Sequence, residues 1–338
     1  MTKYLKKRGK IPLLVFLIII SFIMFLLFSS FGTVNIKISD TFRILINKYD
    51  NSVIKNLIIN ARMPRVAGSF IIGSILAISG NVLQLIIQNP LADPYLIGLS
   101  SGASFGAVLY AALTLIYSFS IPFGMESFAF AFSLFSTFLV ILISKRGKKI
   151  PVVSLILSGV IVSSLFNSFT TFFTVLYWRN LIHVNVWLMG STASLDWNDF
   201  FILLTVLIVL IIIIFMMSKY LNLLSMGEEM SVYSGINPDS VRLILLLVNI
   251  LAVSFCVSKA GIIGFVGLVI PHIVRLITGP YSGITTFYNI FVGGIFLMFS
   301  DFLSRSLFAP TELPIGVITS FVGAPVFIFI LKRSRKND

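Results

Sequence analysis

"QNPLADPYLIGLSSGA", residues 88–103, breaks a very hydrophobic chain with two prolines, an aspartate, two glycines and several small polar residues. Proline ends a helix from within and is tolerated in a helix's first turn, because it lacks an N–H and has a fixed φ. Pro90 and Pro94 therefore close one helix and open the next. The apolar runs on either side are each about 20 residues, the length that crosses the hydrocarbon core of a bilayer. The stretch reads as a tight turn between two membrane spans.

Composition extends that reading to the whole chain. Of 338 residues, 57% are hydrophobic and only 11% are charged, against roughly 25% charged in a soluble protein. A soluble fold of this size lacks the polar residues for its shell. The net charge of +13 does not form a nucleic-acid-binding stripe. It collects at the ends of apolar runs, in "KYLKKRGK" (3–10), "KRGKK" (145–149) and "KRSRK" (332–336). That is the positive-inside pattern of cytoplasmic loops. The single cysteine, Cys256, lies in an apolar run and allows no disulfide framework or paired metal site. The N-terminus begins like a signal peptide, but its apolar run is span-length and no small-x-small cleavage site follows, so it reads as the first span.

Ten spans are predicted, at 12–31, 63–87, 94–116, 123–144, 151–177, 199–218, 239–258, 262–278, 284–305 and 314–332. The eighth is short and broken by Pro271; the ninth is interrupted by Gly293, Gly294 and Asp301. The fold class is all-α and polytopic, and the chain reads as a single transmembrane domain over 1–338. The even count and the basic ends put both termini in the cytoplasm. The segment 32–62 then falls outside, although it carries Lys37, Arg43, Lys48, Lys55 and Arg62. Glycines recur at Gly68, Gly73 and Gly80, and at Gly98, Gly102 and Gly106. Such small-xxx-small spacing lets helices approach closely in lipid. The polar stretches 32–61 and 219–240 are too short for a soluble core. No P-loop motif occurs, so energy must come from a partner or an ion gradient.

Ionisable groups at membrane depth are few, and such groups are usually functional. Asp301 and Arg305 are four apart on one helix face and can pair. Glu312 follows shortly after. His272, after Pro271, reads as a helix-start residue on the cytoplasmic side. The segment 219–240 is cytoplasmic and amphipathic; Leu223, Leu224, Met226, Met230 and Val232 suggest two short helices that meet a partner. A secondary transporter of a small solute is the alternative reading, but it calls for paired ionisable residues in mid-membrane, and none line up. A membrane enzyme calls for a nucleophile or metal cluster, and no catalytic or metal-ligating set is found.

Six runs together resemble the FecCD family of permease subunits of binding-protein-dependent ABC importers for iron–siderophores, haem and vitamin B12. They are "RMPRVAGSFIIGSILAISGNVLQLIIQNPLADPYLIGLSSGA" (62–103), "LILSGVIVSSLFNS" (155–168), "VWLMGSTASLDW" (186–197), "SMGEEMSVYSGINPDSVR" (225–242), "AGIIGFVGLVIPHIVRLITG" (260–279) and "ELPIGVITSFVGAPVFIFIL" (312–331). The resemblance implies a ten-helix permease of the vitamin B12 importer type, needing no cofactor, in the cytoplasmic (inner) membrane. It implies a second copy as homodimer partner, two ABC ATPase subunits, and an extracytoplasmic substrate-binding protein that delivers the chelate. By the family pattern Arg62, Arg65 and Arg305 would meet acidic residues of the binding protein. Asn89 and Leu91 would belong to the cytoplasmic gate. Gly227, Glu228, Glu229 and Gly235 would sit in the coupling segment against the ATPase. ATP hydrolysis would then lie on a separate chain.

Overall fold

The computed structural model describes residues 7–32, 36–46, 48–49, 51–117, 123–147, 149–177, 181–225, 233, 237–279 and 283–334. Among these the regular structure is helical, apart from one isolated bridge between Arg146 and Lys149. The long helices are α1 (Lys7–Ser30), α4 (Met63–Ile87), α5 (Leu99–Tyr117), α6 (Gly124–Ser144), α7 (Val152–Leu176), α9 (Trp197–Met216), α11 (Pro238–Ala260), α13 (Gly283–Ser306) and α14 (Ile315–Ser334). Shorter helices are α2 (Ile38–Leu45), α3 (Ser52–Asn56), α8 (Ile182–Leu188), α10 (Ser218–Ser225) and α12 (Val266–Thr278).

Each of the ten expected spans is a helix. Eight are long and apolar enough to cross a bilayer, and Val266–Thr278 and Ile315–Phe329 are shorter apolar helices. The chain is a multi-pass membrane protein. Three details differ from the sequence reading. The second span begins earlier, because α3, a π-helical turn at Leu57–Arg62 and α4 run on as one 36-residue helix, Ser52–Ile87. At 1.5 Å per residue it is about 54 Å long, well beyond a core of about 30 Å, so one end projects from the membrane. The third span begins later, at Leu99. Residues Pro94–Ile97 form a separate 3-10 turn, closed by Gly98 at φ +83°. His272 lies in the middle of α12, one residue past Pro271, and not at a helix start.

Two compact units divide the contacts. The first comprises residues 1–81, 191–211 and 263–338. Its helices meet through glycine: a Cβ on Gly73 would lie 2.3 Å from the Gly293 carbonyl oxygen, and one on Gly80 would lie 1.9 Å from that of Gly267. The glycines that interrupt the ninth span are thus contact points, since Gly293 also faces Ala77 and Gly294 faces Phe70. Phe28 stacks on Phe302 with centroids 4.6 Å apart, fixing α1 against α13. The second unit comprises 82–190 and 212–262. Here α5 packs on α6 and α7, and α11 packs on α6. Gly102 and Gly106 leave room for the Phe132 and Phe128 carbonyls, 2.4 and 2.3 Å from where a Cβ would stand. Phe105 fills the adjacent space against Phe132 and Phe166.

Candidate functional site

Asp301 is a carboxylate in the apolar helix α13, and it is fully buried at 0% exposure. A charge in that position must be paired and hydrogen-bonded. Arg65 supplies the main partner, its Nε donating to Asp301 Oδ1 at 2.8 Å. Thr192 Oγ1 donates to the same oxygen at 2.7 Å. Arg305, one turn along α13, brings its Nε to 3.3 Å from Oδ2. The Asp301–Arg305 pair is therefore formed as its spacing predicts, within a larger cluster. Arg65 then reaches outward. Its Nη1 and Nη2 donate to Glu312 Oε1 and Oε2 at 3.0 and 2.9 Å, a bidentate fork. Glu312 is the open face of the cluster: its side chain is 38% exposed, against 10% for Arg65.

The arginines also finish a helix. The last carbonyls of α1 have no partner within the helix and carry the negative end of its dipole. Arg62 Nη1 donates to Ser30 O at 2.9 Å and to Ser29 O at 3.4 Å. Arg305 Nη1 donates to Phe31 O at 2.9 Å, and its Nη2 to Phe28 O. Two cations from distant parts of the sequence thus cap the C-terminal end of α1. Gly32 admits them, because a Cβ there would stand 3.0 Å from Arg305 Nη1 and 3.3 Å from Arg62 Nη2.

Local structure places these groups. The π-turn at Leu57–Arg62, which ends on Arg62, widens the helix there, a device common at functional positions. Trp197 braces that turn, its indole N–H donating to the Ile59 carbonyl at 2.8 Å. The loop after α13 is held by Leu313 N–H donating to Ser304 O at 2.9 Å, and by Ser304 Oγ donating to Leu313 O. This presents Glu312 to Arg65. The three arginines named from sequence are accordingly brought together, but all are buried, at 6, 9 and 3% exposure for Arg62, Arg65 and Arg305.

The turn at 88–103 has its own construction. Gln88 takes φ +53° after the end of α4. Asn89 Oδ1 accepts from the Leu91 N–H at 2.9 Å, so the side chain closes the turn on itself. Leu91 is exposed and Asn89 half-buried. Asp93 caps the 3-10 turn by accepting from Tyr95 N–H at 2.9 Å. Burial pushes the Asp93 carboxyl up to about 6, against the opposing pull of that N–H. The Gly98 carbonyl accepts from both Ser101 Oγ and Ser136 Oγ, which ties the turn to α6.

Gly227, Glu228, Glu229 and Gly235 lie outside the described residues. Just beyond them, Asn237 caps α11 by accepting from Asp239 N–H at 3.1 Å and Ser240 N–H at 3.3 Å. Asp239 accepts from Ile150 N–H at 3.0 Å, and Arg242 donates to Ile150 O at 3.1 Å. Ile150, which follows the basic run, is thereby joined to the start of α11. Among the described residues no group of three or more His, Cys, Asp or Glu side chains is arranged to hold a metal ion.

Sequence reasoning missed Thr192, Trp197 and the capping of α1. A signal for the first two was present: a buried acid needs donors, and "GSTASLDW" is a polar turn beside a span. The capping had no local signal, because helix and caps are more than 30 residues apart.

The description of the FecCD transport family matches residues 13–333. The cobalamin import system permease protein BtuC of Halobacterium salinarum is 38% identical over 80% of this chain and 72% of its own length. The hemin transport system permease protein HmuU of Yersinia pestis is 31% identical over 90% of this chain and 92% of its own. The Fe(3+)-citrate import system permease protein YfmD of Bacillus subtilis is 30% identical over 98% of both. A solved chain from an inward-facing metal-chelate type ABC transporter superposes with a TM-score of 0.81, at 28% identity, over 95% of this chain and 99% of that one. This chain belongs to the FecCD transport family and is the permease subunit of an ABC importer, a transport component and not an enzyme.

Proposed function

We propose that this permease forms the translocation pathway for an iron chelate, siderophore or haem, or for a corrinoid, in the cytoplasmic membrane. It works as a homodimer on two ATPase subunits and receives its cargo from an extracytoplasmic binding protein. The observation that carries the reading is the family match across 13–333. The relatives' named cargoes, cobalamin, hemin and ferric citrate, are all metal chelates.

In this reading 1–338 is one transmembrane domain with cytoplasmic termini, and 219–240 is the coupling loop. Gly227, Glu228, Glu229 and Gly235 meet the ATPase there. Support comes from the neighbouring join of Ile150 to Asp239 and Arg242, which groups two segments assigned to the cytoplasmic side. ATPase closure then rocks the helices as rigid bodies between inward-open and outward-open states. Asn89 and Leu91 form the cytoplasmic gate: a self-closed turn with an exposed leucine at its tip is a compact plug.

Arg62, Arg65 and Arg305 receive the binding protein. Arg65 and Arg305 pair with Asp301, and Arg65 with Glu312, while Arg62 lies beside Arg305 on the end of α1, so three guanidiniums gather around two carboxylates. The positive excess steers an acidic partner. Glu312 is the exposed partner of Arg65, so it is the carboxylate that an incoming one replaces.

The test is uptake by proteoliposomes containing the permease with its co-encoded ATPase and binding protein. Haem, cobalamin and ferric siderophores are offered in turn. One chelate should accumulate only with ATP inside. Uptake driven by a proton or sodium gradient without ATP would instead make the chain a secondary transporter.

A further inference from the structure

The basic outer segment holds a helix that the importer reading does not use. α2 has three distinct faces at 100° per residue. Thr41 and Ile44 point inward and are 1 and 2% exposed. Ile38, Phe42, Leu45 and Ile46 share an adjoining arc of about 100°, and are 44, 56, 45 and 47% exposed. Ser39 and Arg43 occupy the third sector and are exposed. A helix between protein and water needs only two faces. A third face, apolar and open, calls for a third surrounding.

The position of α2 says what that surrounding is. Thr41 Oγ1 accepts from Ser30 Oγ at 2.8 Å, a buried hydrogen bond to the last residue of α1. Ile36 N–H donates to Ser30 O at 3.1 Å. Of the eight long apolar spans, α1 is the least covered by protein: only 6% of its most apolar stretch is buried. Ile19, Phe22 and Ile23 on it are 55, 63 and 47% exposed. With 24 residues it is about 36 Å long, enough to cross a core of about 30 Å. Its end at Ser30 therefore marks the level of the bilayer boundary, and α2 is pinned there. The exposed face of α2 continues the lipid-facing surface of α1.

We propose that α2 is an interfacial helix bound to phospholipid. Ile38, Phe42, Leu45 and Ile46 insert among the acyl chains of the leaflet that receives the C-terminal end of α1. Lys37 and Lys48, exposed at the two ends of the helix, reach the lipid phosphates with their apolar stems laid along the boundary. Arg43 stays on the water side, 3.9 Å from Asp40. This gives the outer positives a partner independent of the binding protein.

The experiment labels single cysteines with the fluorophore NBD, in a Cys256→Ser background of the full chain. F42C, L45C and R43C are reconstituted in nanodiscs of phosphatidylglycerol and phosphatidylethanolamine, with plain or brominated acyl chains. Gel filtration selects folded protein. NBD at positions 42 and 45 should lose about half its emission in brominated lipid and resist aqueous iodide, because an interfacial helix buries its face about 5–10 Å deep. NBD at position 43 should show the opposite. Iodide quenching at all three positions would overturn the proposal and leave the face in water. Protection of positions 42 and 45 from both quenchers would also overturn it, by showing that protein covers them.

Discussion

Removing the Asp301 carboxylate tests whether the buried cluster holds this end of the protein together. In D301A, Arg65 Nε and Thr192 Oγ1 lose their acceptor, and Arg305 loses its counter-charge. Breaking a buried pair from one side costs about 3–5 kcal/mol, because the remaining charge stays desolvated. Glu312 still forks onto Arg65, so the lower end of that range is expected, about 3 kcal/mol. That is more than a hundredfold in an unfolding equilibrium. D301N keeps an acceptor and loses only the charge; about 1.5–3 kcal/mol is expected, the worth of a hydrogen bond to a charged group. The assay is an unfolding titration of micelle-embedded permease with a denaturing detergent, followed by Trp fluorescence. Trp197 reports directly, since its indole braces the turn that ends on Arg62. A double-mutant cycle completes the test. Arg65→Met on the D301A background should cost about 1–3 kcal/mol less than it costs alone. An unchanged D301A midpoint, or strict additivity in the cycle, would show that these charges do not depend on one another.

The glycine contacts give a paired prediction. G80A should lower the unfolding midpoint by at least the ~1–3 kcal/mol of an overpacked core, because its Cβ meets the Gly267 backbone. G264A should be silent, since nothing lies within 4 Å of its would-be Cβ. At the turn, L91W should change the rate of basal chelate leak in proteoliposomes while leaving gel-filtration behaviour intact; unchanged flux would reduce the stretch to a connector. Asp93 predicts a pH signature. Its carboxyl is raised from 3.8 to about 6 in the fold, so the neutral acid is the favoured form. Its contribution is full below pH 3.8 and fades as pH rises through about 6. The stability of the wild type relative to D93N should therefore fall between pH 4 and 7, as read from melting at each pH. A constant difference would place the carboxylate in free solvent.

Much of this architecture was legible because a bilayer imposes a simple rule. Backbone groups in hydrocarbon must bond within their own helix, so each span declares itself as an apolar run of fixed length, and ten runs became ten helices. Prolines and glycines at 88–103 marked the turn because their backbone restrictions are local. The i,i+4 spacing of Asp301 and Arg305 was sufficient to predict their contact. The second span was harder to bound, since Ser52–Arg62 is polar enough to read as a loop. Only its packing, with Trp197 on the π-turn, makes it a continuation of α4.

What the sequence by itself determined is the number and order of the spans, the turn between the second and third, and the family. These depend on hydrophobic length, local backbone chemistry and motif order, all written along the chain. What only the tertiary structure decided is the use of the charges. Arg62, Arg65 and Arg305 are not simply positives on a surface. They neutralise Asp301, fork onto Glu312 and cap α1, with partners as far as 277 positions away. A charge takes its role from the groups within a few ångströms, and folding alone sets which groups those are.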